Sequence, residues 1–287
     1  MYSTFKSFLK TCILKLCGQL PDRGPDFFVV GATRAGTTYL HHLLASHPDV
    51  FMPWIKELHY FDHDGRYASD LSGYLPMFDG YHGEALIGEA TPLYCEKGVY
   101  FDRDGRFRFF REETTMARIA RHFPEAKIII SLRDPITRIP SIHKKNFYQG
   151  KISTRLSEEI NREMSGGSDG MNYIFRNRYD VHLEDVYRHF SKERVHVMIF
   201  EDWIGDVQRG MSGVSEFLGI PSLDVWPDIP DKKNTVGEYK KDFRPFEGID
   251  PIDWDQALKN KVLDELAPMR AYVETLLGRA MPWETQK

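Results

Sequence analysis

The run Phe27-Phe28-Val29-Val30 leads directly into Gly31-Ala32-Thr33-Arg34-Ala35-Gly36-Thr37-Thr38, and a helical pattern carrying Leu40, Leu43 and Leu44 follows before Pro48. A short, unbroken apolar run bounded by turn residues predicts a strand buried on both faces of a parallel sheet. Strand, glycine loop and helix in that order gather backbone N–H groups and a helix N-terminus around an anion. Gly31 and Gly36 allow the tight turn and the close approach of phosphate oxygens, while Thr37 and Thr38 add hydroxyl donors at the helix start. The nucleoside-triphosphate loop G-x-x-x-x-G-K-[ST] shares both glycines and the final Thr38, but Thr37 stands at its lysine position and the loop's cation is Arg34. A kinase with this loop would lack the lysine that reaches the β- and γ-phosphates. The loop therefore suits an anionic tail that is shorter and less charged. A loop that merely turns the chain is the plainer alternative.

A second apolar run, Lys127–Leu132, is followed by Arg133-Asp134-Pro135-Ile136-Thr137-Arg138-Ile139-Pro140-Ser141. Asp134 as N-cap and Pro135 as first helical residue predict a helix start, which leaves Arg133 at the strand's carboxyl end. Arg138 and Ser141, three apart, share a helix face, and an arginine at the strand tip with a serine farther along can grip one phosphate from two sides. Surface salt bridging is the other reading of Arg138. Two anion sites, each after its own strand, imply a ligand with phosphates at two separate positions. A 3',5'-bisphosphorylated nucleoside meets that requirement and ATP does not.

Residues 195–200 add a third strand candidate and 85–88 a weaker fourth, while 178–190 and 259–277 repeat apolar residues at helical spacing. Strands alternating with helices predict a three-layer α/β architecture, with a mainly parallel central sheet flanked by helices and ligands at the carboxyl ends of its strands. The 287 residues are 41% hydrophobic and 28% charged, with no linker rich in Pro, Gly or Ser, so one domain is expected over 25–287. In the preceding segment, 1–24, Phe5, Phe8, Leu9, Cys12, Ile13 and Leu16 fall on one helical stripe. Lys10 and Lys15 interrupt it, and it falls short of the roughly 20 apolar residues that span a bilayer. An amphipathic helix packed on the domain is expected there, without stable membrane insertion. The formal net charge of −4 argues against a nucleic-acid partner. Three cysteines, Cys12, Cys17 and Cys95, lack metal-type spacing, which points to reduced thiols, a cytoplasmic protein and no metal. Oligomeric state leaves no mark in the pattern.

With both motifs in view, the chain resembles the sulfotransferases that use 3'-phosphoadenosine 5'-phosphosulfate (PAPS), in particular the branch of the heparan sulfate sulfotransferases and their bacterial relatives. Residues 31–38 are similar to that family's 5'-phosphosulfate loop, which implies Arg34, Ala35, Gly36, Thr37 and Thr38 as donor-binding residues. Residues 132–141 are similar to its 3'-phosphate motif, which implies Arg133 and Ser141. Lys56-Glu57-Leu58-His59-Tyr60-Phe61-Asp62 resembles the acceptor-side K-E-x-H-[FY]-F-D segment, and Gly88-Glu89-Ala90-Thr91-Pro92-Leu93-Tyr94 the G-E-x-[TS]-P-x-Y stretch. Gly237-Glu238-Tyr239-Lys240 is similar to the late loop that closes over the nucleotide, implying Gly237, Tyr239 and Lys240 as further donor contacts. Leu277-Gly278 followed by Trp283 resembles the family's ending, so the likeness runs from 26 to 283. It implies a P-loop-like sulfotransferase fold, PAPS as donor, 3',5'-bisphosphoadenosine (PAP) as product and no metal. Two positions depart from the family pattern. Arg34 stands where lysine is common and keeps the charge, and Ala90 stands where heparan-type enzymes tend to have lysine, which weighs against a polyanionic acceptor.

Sulfuryl transfer needs a base for the acceptor's proton and stabilisation of the charge that develops on the leaving oxygen. Glu57 and His59, two apart in an apparently extended segment, should point to one side, and either can take the proton. The resemblance implies Glu57 as base with His59 in support. A glutamate working near neutral pH should then have its pKa raised by burial. Arg34 would stabilise the sulfuryl oxygens, and Lys56 either adds charge or is solvated. His41 and His42 read as surface or packing residues, Arg106, Arg108 and Arg111 as a solvated face or a surface for an acidic acceptor, and Arg176 and Arg178 as equally ambiguous. The acceptor would be a hydroxyl or amine on a small molecule or glycan, a carbohydrate or secondary metabolite, selected by 65–83 and 149–172. Two rivals stay open: a P-loop kinase of a small molecule, and a bisphosphonucleotide-binding protein without turnover.

Overall fold

The computed structural model describes residues 23–167, 169–229 and 250–285. Residues 1–22 of the N-terminal amphipathic segment, Cys12 and Cys17 among them, and Gly237, Tyr239 and Lys240 lie outside the described residues. In chain order the strands are β1 (Phe27–Gly31), β2 (Val50–Phe51), β3 (Leu86–Ala90), β4 (Tyr100–Phe101), β5 (Phe107–Arg108), β6 (Lys127–Leu132) and β7 (Val195–Ile199). The α-helices are α1 (Thr37–Ala45), α2 (Thr115–His122), α3 (Pro135–Tyr148), α4 (Leu156–Met164), α5 (Tyr179–His189), α6 (Phe200–Gly205), α7 (Val207–Leu218) and α8 (Gln256–Leu277). Five strands form one sheet in the order β2-β3-β1-β6-β7, every neighbouring pair parallel. The short β4 and β5 pair antiparallel as a separate hairpin.

β1 shows why a continuous apolar run was needed. Phe28 and Val30 face one layer, with Ile128 and Ile130 of β6, Ile139 of α3 and Val262 of α8. Phe27 and Val29 face the other, with Leu40 and Leu43 of α1 and Met211 and Val214 of α7. All four are at most 1% exposed, so a polar residue on either face would be stranded. β3 reaches two residues beyond the expected 85–88, and Gly88 lies opposite Phe27 in register. A side chain at Gly88 would run into the Phe27 ring, which accounts for the glycine inside the strand. The first-turn expectations for α3 hold: the Asp134 carboxylate accepts from the Ile136 N–H at 2.9 Å, and Pro135 opens the helix. Pro140 lies inside this 14-residue helix without ending it. α8 begins three residues before the expected 259, because Asp255 caps it by accepting from the Leu258 N–H at 2.7 Å. No helix among the described residues is long and apolar enough to cross a membrane.

One expectation is corrected here. Arg138 is neither at the surface nor on the anion-binding face; it is fully buried. Its guanidinium donates to Glu96 Oε1 at 2.8 Å, to the Arg176 carbonyl at 2.6 Å, to Asn177 Oδ1 at 3.0 Å and to the Thr33 carbonyl at 2.7 Å. Arg176 Nε donates to the other Glu96 oxygen at 2.6 Å. The helix face that sequence spacing shares between Arg138 and Ser141 is divided by depth: Arg138 reaches inward under the loop and Ser141 sits at its rim. Burial by itself would raise the Glu96 pKa, but Arg176 and Arg138 outweigh it and hold the carboxyl below the ordinary range. The stability Glu96 contributes is therefore present above about pH 4.3 and is lost as pH falls through and below that value. Glu96→Gln strands two buried guanidinium groups and is expected to cost about 3–5 kcal/mol in urea unfolding at pH 7. The difference from the parent should shrink as the pH is lowered below about 4.

Candidate active site

The loop at 31–38 is braced from below. Ser131 Oγ donates to the Ala35 carbonyl at 2.7 Å and accepts from Trp203 Nε1 at 2.9 Å, while the Ala35 N–H closes a turn onto the Ala32 carbonyl at 3.0 Å. Ala35 is fully buried and forms the underside of the loop. Gly36 has φ 78°, and a Cβ there would come within 2.9 Å of the Phe200 ring and 2.5 Å of Trp203, so conformation and space both require glycine. The first turn of α1 then opens, with the side chains of Thr37 and Thr38, into a cleft of about 510 Å³.

Arg34 and Arg133 line the same cleft. Arg34, held at φ 67°, donates through Nε to Ser141 Oγ at 2.9 Å. Arg133 donates to the Arg34 carbonyl at 2.9 Å and to Thr137 Oγ1 at 3.1 Å, with its guanidinium 4.9 Å from the Phe200 ring centroid. The two anion sites read from separate motifs are thus brought into contact, one after β1 and one after β6. Phe200, Ile204, Val207 and Ile229 make an apolar wall against which a flat base would fit. Trp283 of the resembling C-terminal ending donates to Glu201 Oε2 at 3.1 Å, and Glu201 accepts from the Asp134 N–H at 3.0 Å, so that ending steadies the turn after β6. The residues present fit an adenosine with anionic groups at its 3' and 5' positions. Among the described residues no group of three or more His, Cys, Asp or Glu is placed to hold a metal ion.

Glu57 and His59 come together, though not as an extended segment: both have left-handed backbone, φ 63° and 48°. The Glu57 N–H donates to the Ala90 carbonyl at 3.0 Å, which docks this segment on the end of β3. His59 Nε2 is 3.8 Å from Glu57 Oε2, and Lys56 Nζ donates to Glu57 Oε1 at 2.7 Å, so Lys56 is paired rather than solvated. Behind His59, Nδ1 lies 2.8 Å from Oδ2 of the fully buried Asp62, which turns Nε2 toward Glu57. Burial alone would lower the His59 pKa, but the Asp62 and Glu57 carboxylates raise it to about 9. For Glu57 burial acts upward, yet His59, Lys56 and Lys145 more than offset it and hold the carboxyl well below the usual range. The Glu57 pKa is therefore not raised as expected from sequence, because three cations surround the group.

A second cavity of about 400 Å³ lies on the far side of Glu57, between the β4–β5 hairpin and α3, with His59, Phe101, Phe107 and Met171 in its lining. The two cavities share Thr33, Glu57, Pro92 and Lys145 as a common wall. Lys145 was missed in the sequence; its one signal is position, one helical turn after Ser141 on the same face of α3. Of the segments expected to select the acceptor, 149–172 reaches this cavity through Lys151 and Met171. The other, 65–83, contributes none of its lining: Tyr74 and Phe78 are core residues, and the hairpin takes that place. Arg106 is exposed and Arg108 pairs with Asp102 at 3.0 Å, a solvated face as read. Arg111 departs from that reading: its side chain is 9% exposed and pairs with Asp64 at 2.8 Å. Arg176 is part of the buried network, Arg178 pairs with Asp180 at 2.6 Å, and His41 is buried.

A model of the Sulfotransferase domain family matches residues 24–243. Carbohydrate sulfotransferase 15 of Mus musculus is 25% identical over 253 residues, covering 69% of this chain and 44% of that protein. Heparan sulfate glucosamine 3-O-sulfotransferase 3B1 of Homo sapiens is 27% identical over 201 residues, covering 69% and 47%. The chain spans less than half the length of these curated relatives. A solved sulfotransferase from Alicyclobacillus acidocaldarius superposes with a TM-score of 0.66 at 24% identity, covering 90% of this chain and 98% of that one, and shares the fold.

The Asp62–His59 contact makes a measurable statement. His59 should titrate by NMR with a midpoint near 9, and Asp62→Asn should bring that midpoint down toward about 6.5. Because the folded value is raised, this pair's contribution to stability is complete below about pH 6.5 and is lost as pH rises through 9.

Proposed function

The chain belongs to the sulfotransferase domain family, and on that premise we propose that it moves a sulfuryl group from PAPS to an acceptor hydroxyl or amine. The observation that carries this reading is the pairing of two contiguous anion sites in one cleft with a carboxylate on the wall shared with a second cavity. When bound, PAPS supplies an activated sulfuryl group whose leaving partner is a stable phosphate. Arg133 and Ser141 hold the 3'-phosphate and, with the bulk of the loop, fix which end of the nucleotide faces the shared wall. Arg34 and the N–H groups at the start of α1 stabilise negative charge on the 5' side.

Glu57 takes the acceptor's proton. His59, with a pKa near 9, already carries its proton at neutral pH and cannot accept another, so it orients Glu57 and compensates its charge. The low basicity of Glu57 is set by Lys56, His59 and Lys145, which face it. A polyanionic donor beside Lys145 draws on one of these cations and adds negative charge near Glu57, which raises the Glu57 pKa, so the base becomes competent when the donor is in place. As the new acceptor-oxygen–sulfur bond forms, the bond from sulfur to the phosphate oxygen breaks and its electron pair stays on the phosphate. Lys145, on the shared wall and with its pKa lowered by burial, is the residue suited to give a hydrogen bond to that oxygen. Arg34 keeps its proton and contributes charge alone. The names of the relatives support a carbohydrate as one acceptor class, beside the hydroxyls of small secondary metabolites.

Two measurements test this reading. Titration calorimetry without metal should show PAP bound more tightly than AMP, and Arg133→Ala should weaken PAP by roughly tenfold or more while changing AMP much less. Preference for Mg·ATP over PAP would overturn the reading in favour of a kinase. Glu57→Gln should lower kcat for sulfuryl transfer by about 10²–10⁴-fold with PAP affinity retained. Unchanged transfer in that variant would remove Glu57 as the base.

A further inference from the structure

Glu89 is a buried acid that the reaction as derived so far does not use. It is the penultimate residue of β3, just before the Ala90 carbonyl on which Glu57 docks, and it is fully withdrawn from water. Among the described residues no cation pairs with its carboxylate; hydroxyls meet it instead. Tyr74 donates to Oε2 at 2.5 Å and Thr91 to Oε1 at 2.6 Å, and the Tyr94 hydroxyl is hydrogen-bonded to the group as well. Burial raises its pKa to about 7, and the three hydroxyls act against that rise. Its surroundings are otherwise apolar, with Phe28 opposite it in register and Ile87 on the same strand. A carboxylate held in such a place by hydroxyls alone is costly, and the neighbouring contacts show what it holds.

The Tyr94 oxygen accepts from the Tyr60 N–H at 3.0 Å and from the Phe61 N–H at 3.4 Å. A hydroxyl has one proton and two lone pairs, so with two N–H groups on its oxygen the Tyr94 proton is left for the carboxylate. Tyr60 and Phe61 are the two residues between His59 and Asp62. The Asp62 side chain has one hydrogen-bond partner among the described residues: Oδ2 meets His59, and Oδ1 is buried without any. The His59–Asp62 contact is therefore placed by the main chain between the two residues. Arg118 and Arg111 hold that stretch by the Phe61 carbonyl, at 3.2 and 3.3 Å, and Tyr94 holds it by its N–H groups. We propose that Glu89 is a positioning residue for the base: its carboxylate orients the Tyr94 hydroxyl, which fixes the main chain at 60 and 61 and so sets His59 between Asp62 and Glu57. For its bearing on the reaction this rests on the sulfotransferase reading.

The test reads His59 directly, by NMR titration of the full chain, with the His59 signal identified by its absence from His59→Gln. Glu89→Gln and Tyr94→Phe should each bring the His59 midpoint down from near 9 toward about 6.5, as the contact with Asp62 loosens. Tyr74→Phe is the control. It takes a hydroxyl from the same carboxylate but keeps the ring that packs on Tyr60 and Phe61, both with centroids 4.9 Å away, so it should lower stability and leave the midpoint near 9. PAP affinity, measured by calorimetry, should be unchanged in all three. If Glu89→Gln does not fold, Tyr94→Phe carries the test. A midpoint that stays near 9 in Tyr94→Phe or in folded Glu89→Gln, an equal fall in Tyr74→Phe, or PAP affinity lost together with the midpoint would each overturn the inference and leave the donor site standing. A parent protein that binds no PAP would instead bring down the sulfotransferase reading, and with it the part of Glu89 in the reaction, whatever the midpoints show.

Discussion

Arg138 and Arg176 close on one carboxylate, Glu96, with all three side chains withdrawn from water, and Arg138 also reaches the carbonyl of Thr33. A buried group of this kind tolerates little displacement, because removing one partner leaves an uncompensated charge in a medium of low dielectric. It joins four segments distant in sequence: the loop after β1, the turn after β3 that carries Glu96, the helix after β6 and the stretch before α5. Arg138 lies in the same helix as Ser141 and Lys145. The network that fixes α3 beneath the loop therefore fixes how Ser141 and Lys145 stand relative to that loop. The arrangement of the cleft is set from inside the core, by groups that never meet a ligand.

The same economy of charge appears at the surface of the site. Lys56, Glu57, His59 and Asp62 alternate in sign across contacts of 2.7 to 3.8 Å. Asp62, at the buried end, makes His59 a cation, and His59 and Lys56, with Lys145 beyond them, make Glu57 a weak base. Such a chain is held together by its own opposite charges, and an anion placed next to it would compete for its cations. Basicity at Glu57 is in this sense a property of the occupied site, and the carboxyl group has no fixed strength of its own.

The parts of the fold that were legible in the sequence are those set by local pattern. β1 and β6 were read as continuous apolar runs because both faces of each are covered, and the start of α3 was read because Asp134 and Pro135 have a local geometric reason to be there. The contact between the two phosphate motifs was implied only through the need for one ligand to touch both. What escaped the sequence depends on partners far away. Nothing near Arg138 announces that Glu96, 42 residues earlier, draws it inward. Alternation predicted that Glu57 and His59 would share a side, and they do meet, but through left-handed backbone on a segment docked to Ala90 rather than through a strand. Lys145 carries no motif at all; it is found only once α3 is laid along the wall between the cavities.

α3 has one more consequence. Ser141 and Lys145 are four residues apart on a helix whose rise is about 1.5 Å per residue, so roughly 6 Å of rigid backbone separates the serine at the phosphate rim from the lysine at the shared wall. A helix pinned from within by Arg138 does not stretch to meet a ligand. For the donor proposed above it would work as a ruler: a nucleotide gripped at one mark would have its far end presented at the other, and one of a different span would miss. On that reading, selection among anionic nucleotides would be a matter of length measured along a helix as much as of charge.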